Sequence, residues 1–159
     1  MPSYELQLHP SKLADLDQFF KFQLDQVAGN MAAFTAKDPT DKEAYMKKYT
    51  PLLSDPTINM KTIFIMDKIV GSISKFEIQG DAEITYWINR KYWGKGIATK
   101  ALELFLIQER MRPIFGRTAF DNIGSQKVLL NNGFIKTGSD TGFANARQAE
   151  IEEFVYRLD

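Results

Sequence analysis

The stretch "AEITYWINRKYWGKGIATKAL", residues 82–102, changes rhythm halfway. Alternating β-branched and aromatic residues up to Ile88 read as a strand, and Gly94 and Gly96 free the backbone for a turn. Beyond it Ala98, Ala101, Leu102, Phe105 and Leu106 recur at helical spacing, with Leu104 and Ile107 widening the apolar stripe of a buried helix. A strand that feeds a helix through glycines gathers unpaired N–H groups and the positive end of the helix dipole in one place, which suits an anion. Lys95 adds charge nearby. The same glycines also make a good structural turn, and on this segment alone both readings stand. The Walker pattern has no match, and Thr99 occupies the place of the third glycine in a dinucleotide fingerprint.

Upstream, "YELQLH" alternates from Tyr4 through Leu6 and Leu8 as a first strand, and Leu13 to Val27 carries apolar residues at three-four spacing as one amphipathic helix. Gly29 and Asn30 are expected to stop it. Thr40 with Glu43 reads as a capping box for a second helix. "MKTIFIM", "IVGSISKFEI" and "AEITYWIN" predict a three-strand antiparallel meander, its first two strands joined by Asp67 and Lys68. Downstream, "IFGRTAF" is another strand. Asn122 caps a helix through Val128, Leu129 and Leu130 to Gly133, followed by Phe134 as a hydrophobic lock. "FIKTG" and "EIEEFVYRL" are the last strands, with a polar loop between them.

At 159 residues one domain, 1–159, accommodates all of this. Twenty Lys plus Arg balance twenty Asp plus Glu, so no global field recruits nucleic acid or an acidic membrane surface. Without cysteine there is no disulfide, thiolate metal site or cysteine nucleophile, and the single His9, beside Pro10 at a strand end, argues against a histidine triad or zinc site. No apolar run approaches a membrane span, and "MPSYELQLHPSK" lacks the signal-peptide pattern. The expectation is a cytoplasmic protein with no membrane, nucleic-acid or metal partner.

The element order closely resembles the GNAT superfamily of acyl-CoA-dependent N-acyltransferases, and within it the Rim-type branch of ribosomal-protein N-terminal acetyltransferases. The resemblance is carried jointly by residues 82–102 and by "NIGSQKVLLNNGF", residues 122–134. It implies an α/β (α+β) fold with a mixed, mostly antiparallel sheet of about six to seven strands and about four helices. It further implies acetyl-CoA as cosubstrate, with acetyl transfer to a primary amine, on a protein N-terminus or a small molecule, by direct attack in a ternary complex. The alternative is a catalytically silent acyl-CoA-binding module. A homodimer is left open.

The superfamily's pyrophosphate signature, Gln/Arg-x-x-Gly-x-Gly/Ala, falls on Trp93 to Ala98: Gly96 and Ala98 match, while Trp93 replaces Gln/Arg in the manner of the Rim-type branch. The resemblance therefore assigns the pyrophosphate to backbone amides of Gly94, Lys95, Gly96, Ile97, Ala98 and Thr99. It places the acyl arm along Trp87, Ile88 and Asn89, where a backbone N–H near Trp87 or Ile88 meets the oxyanion. Asn122 combines the helix cap with a bond to that arm.

Alternation sets Glu83, Thr85 and Trp87 on one strand face, and Ile84, Tyr86 and Ile88 on the other. Glu83 is the candidate general base. At ~3.3 Å per residue, Glu83 to Ile88 spans roughly 17 Å, so a water is expected between base and amine. The plain alternative is a solvated cross-strand charge. Many relatives donate a proton to the leaving thiolate from a tyrosine where this chain has Leu129, which cannot donate. Ser125, one helical turn earlier, matches the serine of the Rim-type branch, although a serine there also bonds local backbone. For the acceptor amine the resemblance points to residues 30–34 and 139–147, where Met31, Phe34 and Phe143 either line a pocket or anchor loops.

Overall fold

The computed structural model describes residues 5–159, so the expected strand start at Tyr4 lies outside the described residues. The elements run β1 (Leu6–Pro10), α1 (Asp15–Gln23), α2 (Gln26–Ala32), α3 (Lys42–Tyr49), β2 (Asn59–Ile65), β3 (Lys68–Ile78), β4 (Asp81–Ile88), α4 (Ile97–Gln108), β5 (Ile114–Ala119), α5 (Ile123–Asn131), β6 (Ile135–Ala144) and β7 (Ala149–Leu158). They form a 7-stranded sheet in the order β1-β2-β3-β4-β5-β7-β6. β4 and β5 are parallel and every other neighbouring pair is antiparallel.

One face of the sheet carries the main core. Ile97, Ala101, Leu102 and Phe105 of α4 and Val128 and Leu129 of α5 bury themselves against Ile73, Ala82, Ile84 and Ile88, with Phe134 and Tyr156 closing the edge. The three-four stripe read from the sequence of α4 is buried at Ala101, Leu102 and Phe105 and partly buried at Ala98, Leu104 and Leu106, whereas Ile107, expected to widen it, is 66% exposed. On the other face α1 contributes Leu16, Phe19 and Phe20. Behind α2 a small cluster of Ala33, Ala119 and Ala144, capped by Phe34 and Ile151, lets three backbones approach closely.

Several boundaries differ from the sequence reading. The helix expected from Leu13 to Val27 is two helices, because Asp25 leaves helical geometry and its carboxylate accepts from the Ala28 N–H, capping α2. The sheet is therefore flanked by five helices. Gly29 and Asn30 lie inside α2, which ends instead at Ala33 with φ 68°. The cap of α3 is Asp41, one residue beyond Thr40, accepting from the Ala44 N–H at 3.0 Å. The β2–β3 turn is Met66 and Asp67, while Lys68 already pairs with Ile65. Most of the expected polar loop 139–147 is strand: β6 continues to Ala144 paired with β7. An edge strand that is exposed over nearly its whole length carries no apolar alternation to betray it. His9 plays a structural part, bonded to Gln7 and set edge-on against Phe64.

The arrangement that positions a site lies between β4 and β5. Their pairing covers only Ala82 to Ile84 against Ile114 to Gly116. Beyond that point β4 stays with β3 and β5 stays with β7, so a gap opens through the middle of the sheet.

Candidate active site

Two cavities flank this gap. One, of about 650 Å³, is walled by the end of β4, the glycine turn and the start of α5. Gly94 and Gly96 take φ of 75° and 74°, a left-handed backbone in which glycine has no steric cost, and Gly96 is the N-cap of α4. Trp93 anchors this turn, its indole N–H donating to the Ile88 carbonyl at 2.9 Å. The α4 N-terminus thereby faces the cavity, and the free N–H groups of a helix N-terminus favour negative charge. Across from it, Asn122 accepts from the Ser125 N–H at 3.2 Å as the cap of α5, and its amide donates to the Met31 carbonyl at 3.4 Å.

The second cavity, of about 600 Å³, lies under α1 to α3 and is lined by aromatic side chains, among them Phe19, Phe34, Tyr45 and Phe76. Burial pushes the Tyr45 phenol pKa up, with Tyr49 adding to the rise. Glu83 reaches this cavity and is only 7% exposed. Its carboxylate accepts from the Arg117 Nε at 3.1 Å, and the same guanidinium bonds Asp140 at 2.8 Å and Glu153 at 3.2 Å. These partners raise the Arg117 pKa further, Asp140 most of all. The half-buried Glu153 carboxyl is raised above its ordinary range because burial outweighs the attraction of Arg117. One cation thus orders three carboxylates, of which Glu83 and Glu153 line the cavity.

The cavities share Ala32, Tyr86 and Trp87. There the Tyr86 hydroxyl lies 2.7 Å from the Ser125 Oγ, and burial pushes its pKa up to about 12. Two buried side-chain atoms among the described residues lack a hydrogen-bond partner, Trp87 Nε1 and Thr118 Oγ1. Both residues line the second cavity. Such atoms are costly unless something else satisfies them, which a water or a bound molecule in the cavity would do.

A family profile described as the acetyltransferase (GNAT) domain matches residues 5–135. The chain belongs to the GNAT acetyltransferase family. It is 34% identical over 86 residues to the ribosomal-protein-serine acetyltransferase of Escherichia coli (strain K12), a match that covers 50% of this chain and 48% of that protein. The chain thus spans about half the length of the curated relative it matches. Among solved structures it is similar to the microcin C7 self-immunity acetyltransferase MccE in complex with acetyl-CoA and AMP, with TM-score 0.78, 18% identity and coverage of 97% and 92% of the two chains. It is also similar to Mycobacterium smegmatis RimJ in complex with a CoA disulfide, with TM-score 0.77, 19% identity and coverage of 96% and 81%. These similarities agree with the Rim-type resemblance and with the fold read from the sequence.

Within this GNAT fold most of the expected coenzyme residues meet. Trp87, Ile88, Gly94 and Gly96 line the first cavity together with Ile97, Ala98, Thr99 and Asn122. Asn89 does not line it: its side chain turns back to cap a 3-10 turn at Arg90–Tyr92. Lys95 does not line it either, although its ammonium lies 5.7 Å from the ring of Tyr92, which does. Glu83 and Ser125 line the second cavity, as does Phe34, which also packs on the alanine cluster. Met31 lines the first cavity instead, since the last turn of α2 faces the glycine turn. Phe143 lines neither cavity; it sits 54% exposed on the edge strand β6.

Arg117, Glu153, Tyr45 and the Tyr86–Ser125 pair were not anticipated. Arg117 sits one step past the last β4–β5 pair, so its meeting with Glu83 depends on a parallel pairing that no local pattern announces. No group of three or more His, Cys, Asp or Glu among the described residues is arranged to hold a metal ion. No helix among the described residues is long and apolar enough to cross a membrane.

Proposed function

We propose that this protein is an acetyl-CoA-dependent N-acetyltransferase that moves the acetyl group to a primary amine by direct attack. The observation that carries the reading is the meeting of the two cavities at Tyr86 and Trp87, inside the gap between β4 and β5. One cavity ends on a helix N-terminus with two left-handed glycines, the other on a buried carboxylate. An anionic coenzyme and an amine entering from opposite sides would bring their reactive ends together there.

The residues present suit coenzyme A. Backbone N–H groups from Gly94 to Thr99 hold its pyrophosphate, and the dipole of α4, 12 residues long, favours the charge. When bound, the thioester supplies the activated acetyl group. On this chain's side, Trp87 offers an unpartnered indole N–H, and the splayed end of β4 offers backbone N–H groups to a developing oxyanion. Glu83 accepts the amine proton directly or through a water. Its bond to Arg117 fixes its orientation. Ser125 donates toward the sulfur. The acceptor is the amine of a protein N-terminus or of a small molecule, set between an aromatic wall and a carboxylate cluster. A cavity of this size suits a compact group.

The test is release of free coenzyme A thiol across a panel of amines and N-terminal peptides, with Glu83→Gln and Ser125→Ala alongside wild type. Turnover that falls about 10²-fold in Glu83→Gln supports the base assignment. Undiminished turnover in both variants removes both roles. Tight acetyl-CoA binding with no turnover on any acceptor makes the protein a silent acyl-CoA-binding module, a reading favoured by one observation, the apolar Leu129 at the tyrosine position.

A further inference from the structure

Leu129 is 1% exposed, and a Cβ at Gly116 would collide with its side chain, so the position from which a tyrosine would reach the sulfur is given over to core packing. A phenol nevertheless reaches the same place from another element. Tyr86 projects from β4 just past the divergence from β5, lines both cavities and puts its hydroxyl 2.7 Å from the Ser125 Oγ and 3.2 Å from the Ser125 carbonyl. Among the described residues Ser125 Oγ has no other hydrogen-bond partner. The one phenol O–H faces both the Ser125 carbonyl and Oγ, and when it donates to the nearer Oγ the serine O–H is free for another acceptor.

We propose that Tyr86 and Ser125 form a proton relay to the departing coenzyme A sulfur, in which β4 supplies the acid that α5 lacks at Leu129. This rests on the acetyl-CoA reading above. As the amine nitrogen bonds to the acetyl carbon, the carbon–sulfur bond breaks and its electron pair stays on sulfur. Ser125 passes its hydroxyl proton to that sulfur, Tyr86 passes its own to the Ser125 oxygen, and the proton shed by the amine returns through solvent to the phenolate. Ser125 is the catalytic residue of the pair and Tyr86 its positioning residue, which restores the serine's proton. Burial, opposed by the Ser125 bond, raises the phenol's pKa, so Tyr86 gives up its proton only together with the transfer from Ser125 to sulfur.

The test reads the sulfur rather than turnover. Coenzyme A is bound to wild type, Tyr86→Phe and Ser125→Ala, and its thiol is titrated by the ultraviolet absorbance of the thiolate. In wild type the bound thiol should titrate about one unit below free coenzyme A, a tenfold gain in thiolate, and return toward the free value in both variants. Both variants should still bind coenzyme A below the thiol pKa, while the tenfold tighter binding of the thiolate should be lost with the shift. A titration unmoved by Tyr86→Phe but moved by Ser125→Ala overturns the role of Tyr86. Identical titrations in all three overturn the relay alone, whereas failure of wild type to bind coenzyme A overturns the cosubstrate reading with it.

Discussion

On the side proposed for the coenzyme, the wall is mostly one stretch, from Tyr86 through the glycine turn into α4, with α2 and the start of α5 completing it. On the acceptor side, the wall is assembled from distant positions: Glu83 on β4, Arg117 on β5, Glu153 on β7 and Phe34 after α2. The first is made of backbone geometry and a helix dipole, the second of side-chain charge held in place by other charge. The difference teaches what each can tolerate. A backbone cradle accepts many side chains but few changes of φ. A charge network accepts no loss of a partner, since the groups left behind are buried.

Mutations that hit one side and spare the other sharpen this contrast. Glu83→Gln should lower kcat about 10²-fold while leaving the coenzyme A dissociation constant unchanged. An equal loss in both would merge the two sides into one. Arg117→Ala leaves Glu83 and Glu153 without their shared cation. It should lower stability by about 1–3 kcal/mol, the range for stranding buried polar partners, read in urea unfolding. The 37% exposure of the Arg117 side chain argues for the lower end. Its effect on amine KM should exceed its effect on acetyl-CoA KM.

Gly96→Val forces a β-branched residue into φ 74° and should weaken coenzyme A at least about tenfold, with strain of ~1–3 kcal/mol as the cause. Unchanged affinity would show that the turn is only a turn.

The smallest effect is expected at Asp25, whose carboxylate caps α2 and pairs with Arg90 at 2.8 Å. The Ala28 N–H first, and then Arg90, hold its pKa below the ordinary value. A depressed carboxyl stabilises the fold above its unfolded pKa, and that contribution is lost as pH falls through the folded pKa. Asp25→Ala should therefore cost about 1 kcal/mol at neutral pH, with the gap to wild type closing below about pH 4.

The legibility of the two sides in the sequence follows the same division. The left-handed glycines, the Asn122 cap, the buried stripe of α4 and the lock at Phe134 each depend on interactions within a few residues, and each was readable. The break at Asp25 was missed because apolar spacing from Leu13 to Val27 ran through it, while a single carboxylate–amide bond sets the boundary. Phe143 lies outside both cavities because β6 is at the edge, exposed, where neither face carries an apolar signal. Tyr86 was assigned correctly to the face opposite Glu83, but its partner across the gap could not be seen.

The sequence by itself determined the strand, turn and helix of residues 82–102, since hydrogen bonds between near neighbours and side-chain periodicity dictate them, and its motifs carried the resemblance to the family. Only the tertiary structure decided that β4 and β5 pair for three residues and then part. That parting brings Arg117 to Glu83 and Tyr86 to Ser125, contacts set by the register of a parallel pair whose strands lie on either side of an intervening helix.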